Sequence, residues 1–482
     1  MKKHLTILSL VLLLGLTACG TDTVDTLGPS QPPVEEAGSV QPLHLERWSE
    51  SVPGSGQSYD CLGLQEEDAK ALPDLDAALS AYARERGAAM GDGAGAVCAL
   101  DVRRADSVAV SLLSVEEPTG TLDTAVFDAA TGARLGLDDV VTDQGRLDLM
   151  DQAVALLTEK YPELDADTVR DHLLAAANDR SLDWTLDPQG VSFYLDLDAA
   201  DVSSWGQGLL TVLVPFGGER AGLVDEGYAA VPTQYAIPFG TSVPLSFDFG
   251  TGTVQELRVV PTWSDETGAC ERLTFYLDEE STEVSLHSYE TTPVLVHMGE
   301  GEDYLYVEGL SENDYPFLEI YALSGDRPPV LLHDTIWGTG LHRDLWTEPF
   351  PTTLLTDPDA FLLDTRMDLL STYSAHRSYR IAADGSLVPE DLWYTIDANI
   401  TLTSLAALQA DVLGPSRSVT EAGVLLPAGT QCTLLRTDGS SWVEVQLDDG
   451  RECRLSVTNE QWPQLVDGKP ADQCFDGMLF AG

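Results

Sequence analysis

Cations are scarce in this sequence. Its 482 residues hold 26 Lys+Arg against 79 Asp+Glu, a formal net charge of −53 at pH 7, and five of the cations are lysines. A surface this acidic repels phosphate backbones, which excludes nucleic acid as a partner. It attracts cationic proteins and peptides, and does so less at high salt. Few lysines beside many arginines, Ala, Asp and Gly also fit a GC-biased codon usage, under which the acidity is a habit of the organism.

The motifs of common enzymes are missing too. There is no HExxH, and His297-Met-Gly-Glu300 reads as the end of a strand. There is no GxSxG elbow, since Pro53-Gly-Ser55-Gly56 falls in a linker. The run Gly91-Asp-Gly-Ala-Gly95 closes a helix and lacks the GK[ST] of a phosphate loop. Asp165/Asp167, Asp196/Asp198/Asp201 and Asp357/Asp359 lack the glycine and distal Glu of an EF-hand, so helix caps and solvated loops are their reading. A glycoside-cleaving carboxylate pair would meet only in the fold, and no residue is singled out for it. Without CxxC or a Cys/His cluster, no structural zinc is expected. The chain is read as a non-enzyme with no catalytic, cofactor or metal residues.

Long apolar runs are confined to the first residues. Lys2, Lys3 and His4 precede the apolar Leu5–Gly15, too short for a membrane span, and Leu16-Thr-Ala-Cys19 resembles the bacterial lipobox. That resemblance makes 1–18 a signal peptide and Cys19 the site of a diacylglycerol thioether, with the lipid as the only anchor. Gly20 stands where an inner-membrane retention signal would prefer Asp. The expected location is the extracytoplasmic face of the cell membrane. Cleavage removes Lys2 and Lys3, leaving 24 Lys+Arg against 79 Asp+Glu, or −55.

Six cysteines remain: Cys61, Cys98, Cys270, Cys432, Cys453 and Cys474. An even count in an exported chain points to disulfides, with fifteen connectivities open. Cys432 and Cys453 both read as lying opposite Val445, two strand spacings or roughly 9–10 Å apart, too far to bridge. Cys474 suits either better, and Cys61–Cys98 would staple the first helix.

What is present speaks for a folded protein: 43% apolar and 22% charged residues, in a chain too long for one core. Residues 19–57, rich in Thr, Pro, Ser and Gly, read as a flexible tether. Leu62–Met90 reads as mainly helical, with Pro73 suited to a first turn, and Val97–Val102 and Ser107–Val115 as strands. A strand pair follows, Thr124–Phe127 and Ala133–Leu137. Asp143 can cap a helix reaching Tyr161 on a face of Leu147, Met150, Val154, Leu157 and Tyr161. Asp165 or Asp167 can cap a second helix that turns Val169, Leu173 and Leu174 inward. Trp184–Leu186, Gly190–Leu195 and Leu209–Phe216 complete an α+β domain over 58–235, with helices on one face of an antiparallel sheet.

Within that stretch, Phe127-Asp-x-x-Thr-Gly132-x-x-Leu135-x-Leu137-Asp-Asp-Val140, Gly190-Val-Ser-Phe193-Tyr194 and Leu210-Thr-Val-Leu-Val-Pro215-Phe216 resemble the RsiV-type extracellular domain. The resemblance covers roughly Tyr59–Gln234, about a third of the chain. The family serves as the lysozyme-recognising ectodomain of anti-sigma factors and as an accessory domain of a peptidoglycan deacetylase. The resemblance therefore implies a lysozyme-like partner. Where the family has a crossing rich in Pro and Tyr, this chain has Leu197-Asp-Ala-Ala-Asp-Val-Ser-Ser-Trp205. Neither a sigma-binding helix nor a deacetylase domain is seen, and neither activity is expected.

From 236 to 397 short alternating runs, punctuated by Gly, Asp, Ser and Pro, predict an all-β region, sandwich- or propeller-like. Leu341–Thr347 reads as a helical turn. Residues 398–482 read as a small β-meander module on the turns Thr437-Asp-Gly439 and Asp448-Asp-Gly450, with a folded apolar tail. Trp263, Trp337, Trp346 and Trp393, with Trp205, are either core residues or a surface for stacking on sugar rings. The expectation is thus a surface lipoprotein that binds a cationic protein such as lysozyme. The alternative is a peptidoglycan-binding or structural envelope protein.

Overall fold

Half of the chain is strand, some strands alternating buried and open positions, as in Gln431–Thr437 and Glu452–Thr458, and others buried almost throughout, as in Ala109–Glu117. The computed structural model describes residues 39–90, 95–117, 119–142, 145–196, 209–217, 222–312, 315–460 and 462–481. The signal peptide, Cys19, Asp143 and the crossing 197–205 lie outside the described residues. Residues from Val40 onward form one compact unit.

The first sheet contains β1 (Leu45–Val52), β2 (Gln57–Leu64), β3 (Val97–Ala105), β4 (Ala109–Glu117) and β5 (Thr121–Asp128), in that order. The β2–β3 pair is parallel, and the other pairs are antiparallel. β1 corrects the tether, which was expected to reach residue 57. Pro53-Gly-Ser-Gly56 is a hairpin turn with Gly54 and Gly56 at φ 81° and 72°, and Leu43 and Leu45 drop into the core beside Leu62 and Leu64. The helix Pro73–Ala89, with Pro73 in its first turn as expected, lays Leu75, Leu79 and Tyr82 on this sheet.

The second sheet is β6 (Asp183–Asp187), β7 (Gly190–Asp196) and β8 (Leu209–Pro215), all antiparallel. Helices Gly145–Lys160 and Ala166–Asp179 share its core through Met150, Val154, Leu157, Val169 and Leu173. Each such buried side chain contributes about 1.5–3 kcal/mol. Asp165 caps the second of these helices, its Oδ1 accepting from Thr168 N at 2.9 Å. The first presents Leu149 inward, and the expected Leu147 is exposed. Ala133–Leu137 is not a strand: only Phe127 and Arg134 bridge, and a short helix begins at Leu137. Gly190 is required by contact, because a side chain there would meet the carbonyl of Val214.

The all-β region is layered. β9 (Tyr235–Pro238) belongs to a sheet with β14–β17, while β10 (Leu245–Phe247), β11 (Gln255–Trp263), β12 (Cys270–Leu277) and β13 (Glu280–Ser288) form another. The former sheet runs through β14 (Glu290–His297), β15 (Asp303–Ser311), β16 (Tyr315–Ser324) and β17 (Arg327–Leu331). The two sheets enclose Phe247, Leu257, Phe275, Leu295, Leu305 and Tyr321, which makes this part a sandwich. The opposite face of β14–β16, through Val294, Val296 and Tyr306, covers Leu341, Phe361, Leu363 and Tyr379 of a third layer.

That third layer follows β18 (Ile336–Trp337), which pairs with β16, and contains β19 (Thr339–Leu341). β20 (Thr352–Thr353) returns to pair with β1, so residues about 300 apart in sequence share the first sheet. The third layer continues through β21 (Phe361–Asp368), β22 (Thr372–Ile381), β23 (Leu387–Pro389) and β24 (Tyr394–Ile396). Then come β25 (Thr401–Ser404), β26 (Leu408–Leu413), β27 (Val419–Leu426), β28 (Gln431–Thr437), β29 (Trp442–Leu447) and β30 (Glu452–Thr458). The order β19-β21-β22-β24-β28-β29-β30-β26-β27 is continuous, so the boundary expected after residue 397 falls inside a sheet. Leu341–Thr347 is not helical: strand ends at Leu341 and a loop follows. The tail is tied down through Thr372 N to Leu479 O at 2.8 Å and Arg366 Nη2 to Ala481 O at 2.6 Å.

All six described cysteines are buried free thiols, so the expected Cys61–Cys98 staple is not formed. Cys453 lies opposite Val445 as expected, but Cys432 lies opposite Leu447. Burial raises the thiol pKa of Cys61 to about 12 and of Cys432 to about 11, which keeps both unreactive near neutrality.

One histidine joins distant segments of this fold. His44 Nδ1 lies 3.0 Å from Asp68 Oδ2, and its Nε2 lies 3.4 Å from Asp357 Oδ2. Hydrogen bonds to Asp357 and Asp68 outweigh burial and raise its pKa from 6.5 to about 10. A raised folded-state pKa stabilises below the unfolded value and is lost as pH climbs through the folded one. His44→Gln should therefore lower the Tm most at or below pH 6.5, with the gap to wild type shrinking towards pH 10. A gap that stays constant across that range, in thermal melts of both proteins, would count against this bridge.

Candidate functional site

Four metal-ligating side chains come together on one face of the third layer. β21 and β22 form a hairpin whose register sets Asp364 opposite His376. Gly340 pairs with Asp364, so His342, two residues on, projects from the same face one step along the adjacent strand. On the other side Thr395 pairs with His376, which brings Asp397 alongside by the same period of two. One ligand atom from each of His342, Asp364, His376 and Asp397 lies within 4.8 Å of the others.

His342 Nδ1 stands 2.7 Å from Asp364 Oδ1, whose Oδ2 accepts from Arg343 N at 2.9 Å. His376 Nδ1 approaches Asp397 Oδ1 to 2.7 Å, but without hydrogen-bond alignment, and Asp397 Oδ2 is also buried without a hydrogen-bond partner. The two imidazole centroids are 4.5 Å apart. The side chains keep between 11% and 23% of their surface, so the cluster is sheltered yet open to water. Burial disfavours the charged form of His342, but Asp364, with help from Asp397 and Asp344, holds its pKa above 6.5.

Sequence reading missed this cluster. Its members are separated by 22, 12 and 21 residues, which matches no local ligand motif. The one signal was the hairpin, whose register would have set Asp364 against His376.

His297 and Asp357 have structural roles. His297 ends β14, with its Nδ1 2.7 Å from Asp303 Oδ1 and its ring stacked 4.8 Å from Tyr235. Asp357 accepts from Asp359 N at 2.8 Å as a turn and also faces His44. The tryptophans divide. Trp263, Trp337 and Trp346 are 47%, 58% and 64% exposed, whereas Trp393 lies under the Arg417 guanidinium at 3.6 Å.

Comparison with known proteins adds little. No family model matches the chain, and no curated protein matches it. The chain is similar in structure to a DUF3298 family protein from Pseudomonas aeruginosa PAO1. The match has 16% identity and a TM-score of 0.26, and covers 39% of this chain and 98% of the other.

A cleft of about 920 Å³ lies between the β4–β5 hairpin of the first sheet, the second sheet and the segment before β10, lined by Glu117, Asp183, Tyr194, Ser242 and others. Burial, followed by the charge of Asp123, raises the Asp183 pKa to about 6. Asp183 Oδ1 accepts weakly from Thr124 Oγ1 at 3.4 Å, and Glu117 is bonded to Ser242.

Proposed function

We propose that this chain is a lipid-anchored protein of the extracytoplasmic face that binds a ligand without catalysing a reaction. Its ligand is a cationic protein, with a lysozyme as the first candidate. The observation that carries this reading is the charge: 79 acidic against 26 basic residues on a folded body. Long-range attraction from such a surface speeds encounter with a basic partner, and short-range complementarity then supplies selectivity.

The test is a salt titration of Gly20–Gly482 with a lysozyme and with an equally basic unrelated protein. Selective lysozyme binding that persists at physiological ionic strength is the expected result. Equal binding of both proteins that vanishes with salt would reduce the acidity to a background property and end this reading.

A second reading is favoured by a specific feature. Trp263, Trp337 and Trp346 are exposed, and aromatic faces in water are suited to stacking on sugar rings. On that reading the ligand is cell-wall glycan. The chain would sediment with purified peptidoglycan, and changing the three tryptophans to alanine would abolish sedimentation.

A further inference from the structure

We propose that His342, Asp364, His376 and Asp397 form a binding site for one divalent transition-metal cation of the zinc class. The inference is independent of the ligand reading above. Two imidazole nitrogens and two carboxylate oxygens make a four-ligand set of the kind zinc accepts, and the absence of thiolate disfavours softer ions. Calcium and magnesium prefer ligand shells made entirely of oxygen.

Three observations carry the assignment. The first is convergence: residues from four successive segments of one sheet place a ligand atom each within 4.8 Å of the rest. Ligands bound tetrahedrally at about 2.1 Å to one ion lie about 3.4 Å apart, so the widest pair would close by at most about 1.4 Å on binding. The second is the pairing of His376 with Asp397. Nδ1 and Oδ1 face each other at 2.7 Å without the alignment of a hydrogen bond, and Asp397 Oδ2 has no hydrogen-bond partner. Buried polar atoms left in this state are costly, and a cation between them would satisfy both. The third is the surrounding support. Arg343 N donates to Asp364 Oδ2 at 2.9 Å, which fixes that carboxylate as an outer partner of a metal ligand would be fixed.

Bound there, the ion would cross-link the segment after β19 to the segment after β24 through the β21–β22 hairpin. Such an ion would act as a clamp. It needs no open coordination position and involves no reaction step.

The test uses the metal-free chain Gly20–Gly482, titrated with Zn2+ by calorimetry and with Co2+ by visible absorption. The expected stoichiometry is one ion per chain, retained in about 1 M salt, where surface carboxylates are screened beyond about 3 Å. Excess Ca2+ or Mg2+ should not displace it. Zn2+ should raise the Tm of wild type, and Co2+ should give the intense bands of a four-coordinate ion. His376→Gln and Asp397→Asn should each weaken binding by about 100-fold or more, at or beyond the loss from removing an outer partner. Asp449→Asn, at an exposed turn, should leave it unchanged.

Absence of Zn2+ binding would overturn the proposal. So would binding of several ions that salt abolishes, or equal affinity in wild type and both site variants. The Co2+ measurement needs no substitution, so an unfolded variant does not blunt the test.

Discussion

Glu444→Ala is expected to lower the unfolding free energy by about 3–5 kcal/mol, the loss typical when one partner of a buried charge network is removed. The Glu444 carboxylate has no exposed surface and accepts from Arg417 Nη2 at 2.5 Å and Arg454 Nη2 at 2.8 Å, with Arg436 Nη1 at 3.7 Å. Arg417 lies over Trp393 at 3.6 Å and Arg454 over Trp442 at 4.4 Å, so neither can swing away cheaply when the carboxylate is lost. Among the described residues Arg436 keeps another partner, Glu452 at 3.1 Å. The alanine variant therefore brings three guanidinium groups together with too little opposing charge.

Glu444→Gln should fall between wild type and alanine, since it retains shape and an acceptor but not the charge. Added salt should recover part of the alanine loss by screening the arginines. Urea unfolding read by far-UV circular dichroism measures all three. A loss below about 1 kcal/mol for the alanine variant would show that the arginines are satisfied by water, as exposed pairs are.

The parts of the fold legible in the sequence were those written locally. Pro73 fixed a helix start because its ring fits the first turn, and Asp165 marked a cap because its carboxylate reaches an amide three residues on. The strands from Leu245 to Leu331 followed from alternation. β1 was hidden because its outward face is polar and its turn carries the Pro, Gly and Ser of a linker. Only pairing with β2, and with Thr352–Thr353 from far along the chain, makes it a strand. Leu341–Thr347 misled in the opposite sense. Its apolar residues suit a helical turn, but Leu345 and Trp346 face solvent in a loop.

The candidate metal cluster shows the same limit more sharply. His342 and Asp397 lie just past strand ends, and neither carries a local mark of its partner. Asp364 and His376 were in reach of inference, because a hairpin turning at Leu369-Leu-Ser371 sets them opposite each other. The local strand pattern in the sequence covers only Asp359–Leu363 and Tyr379–Ile381 there, and it stops short of both residues. The observed strands extend to Asp368 and begin at Thr372. A register is a sum over the whole hairpin, and missing its inner half loses the pair.

Arg104 ties the end of β3 to the segment that leads into β9, and Arg104→Ala should cost about 3–5 kcal/mol as well. Arg104 is 1% exposed. It grips Asp106 with two hydrogen bonds, Nε to Oδ2 at 2.7 Å and Nη2 to Oδ1 at 3.2 Å. Its remaining donors reach the carbonyls of Tyr228 at 2.7 Å and Ala230 at 2.5 Å, where the chain runs on towards β9. Alanine would leave the Asp106 charge buried and two carbonyls without donors. Asp106 would keep the amides of Val108 and Ala109, at 2.9 and 3.1 Å, so the turn after β3 should survive while the 228–230 segment loosens. Hydrogen exchange should therefore speed up around Tyr228–Ala230 and β9 more than around Val108. Arg104→Lys should recover less than half of the stability, because one ammonium cannot reproduce a planar fork that faces a carboxylate and two carbonyls at once. Neutralising the pair in Arg104→Met/Asp106→Asn should cost less than Arg104→Ala alone, since no unpaired charge stays buried. If Arg104→Ala instead unfolds within about 1 kcal/mol of wild type, with unchanged exchange at Tyr228–Ala230, apolar packing and not this guanidinium holds the 228–230 segment on β3.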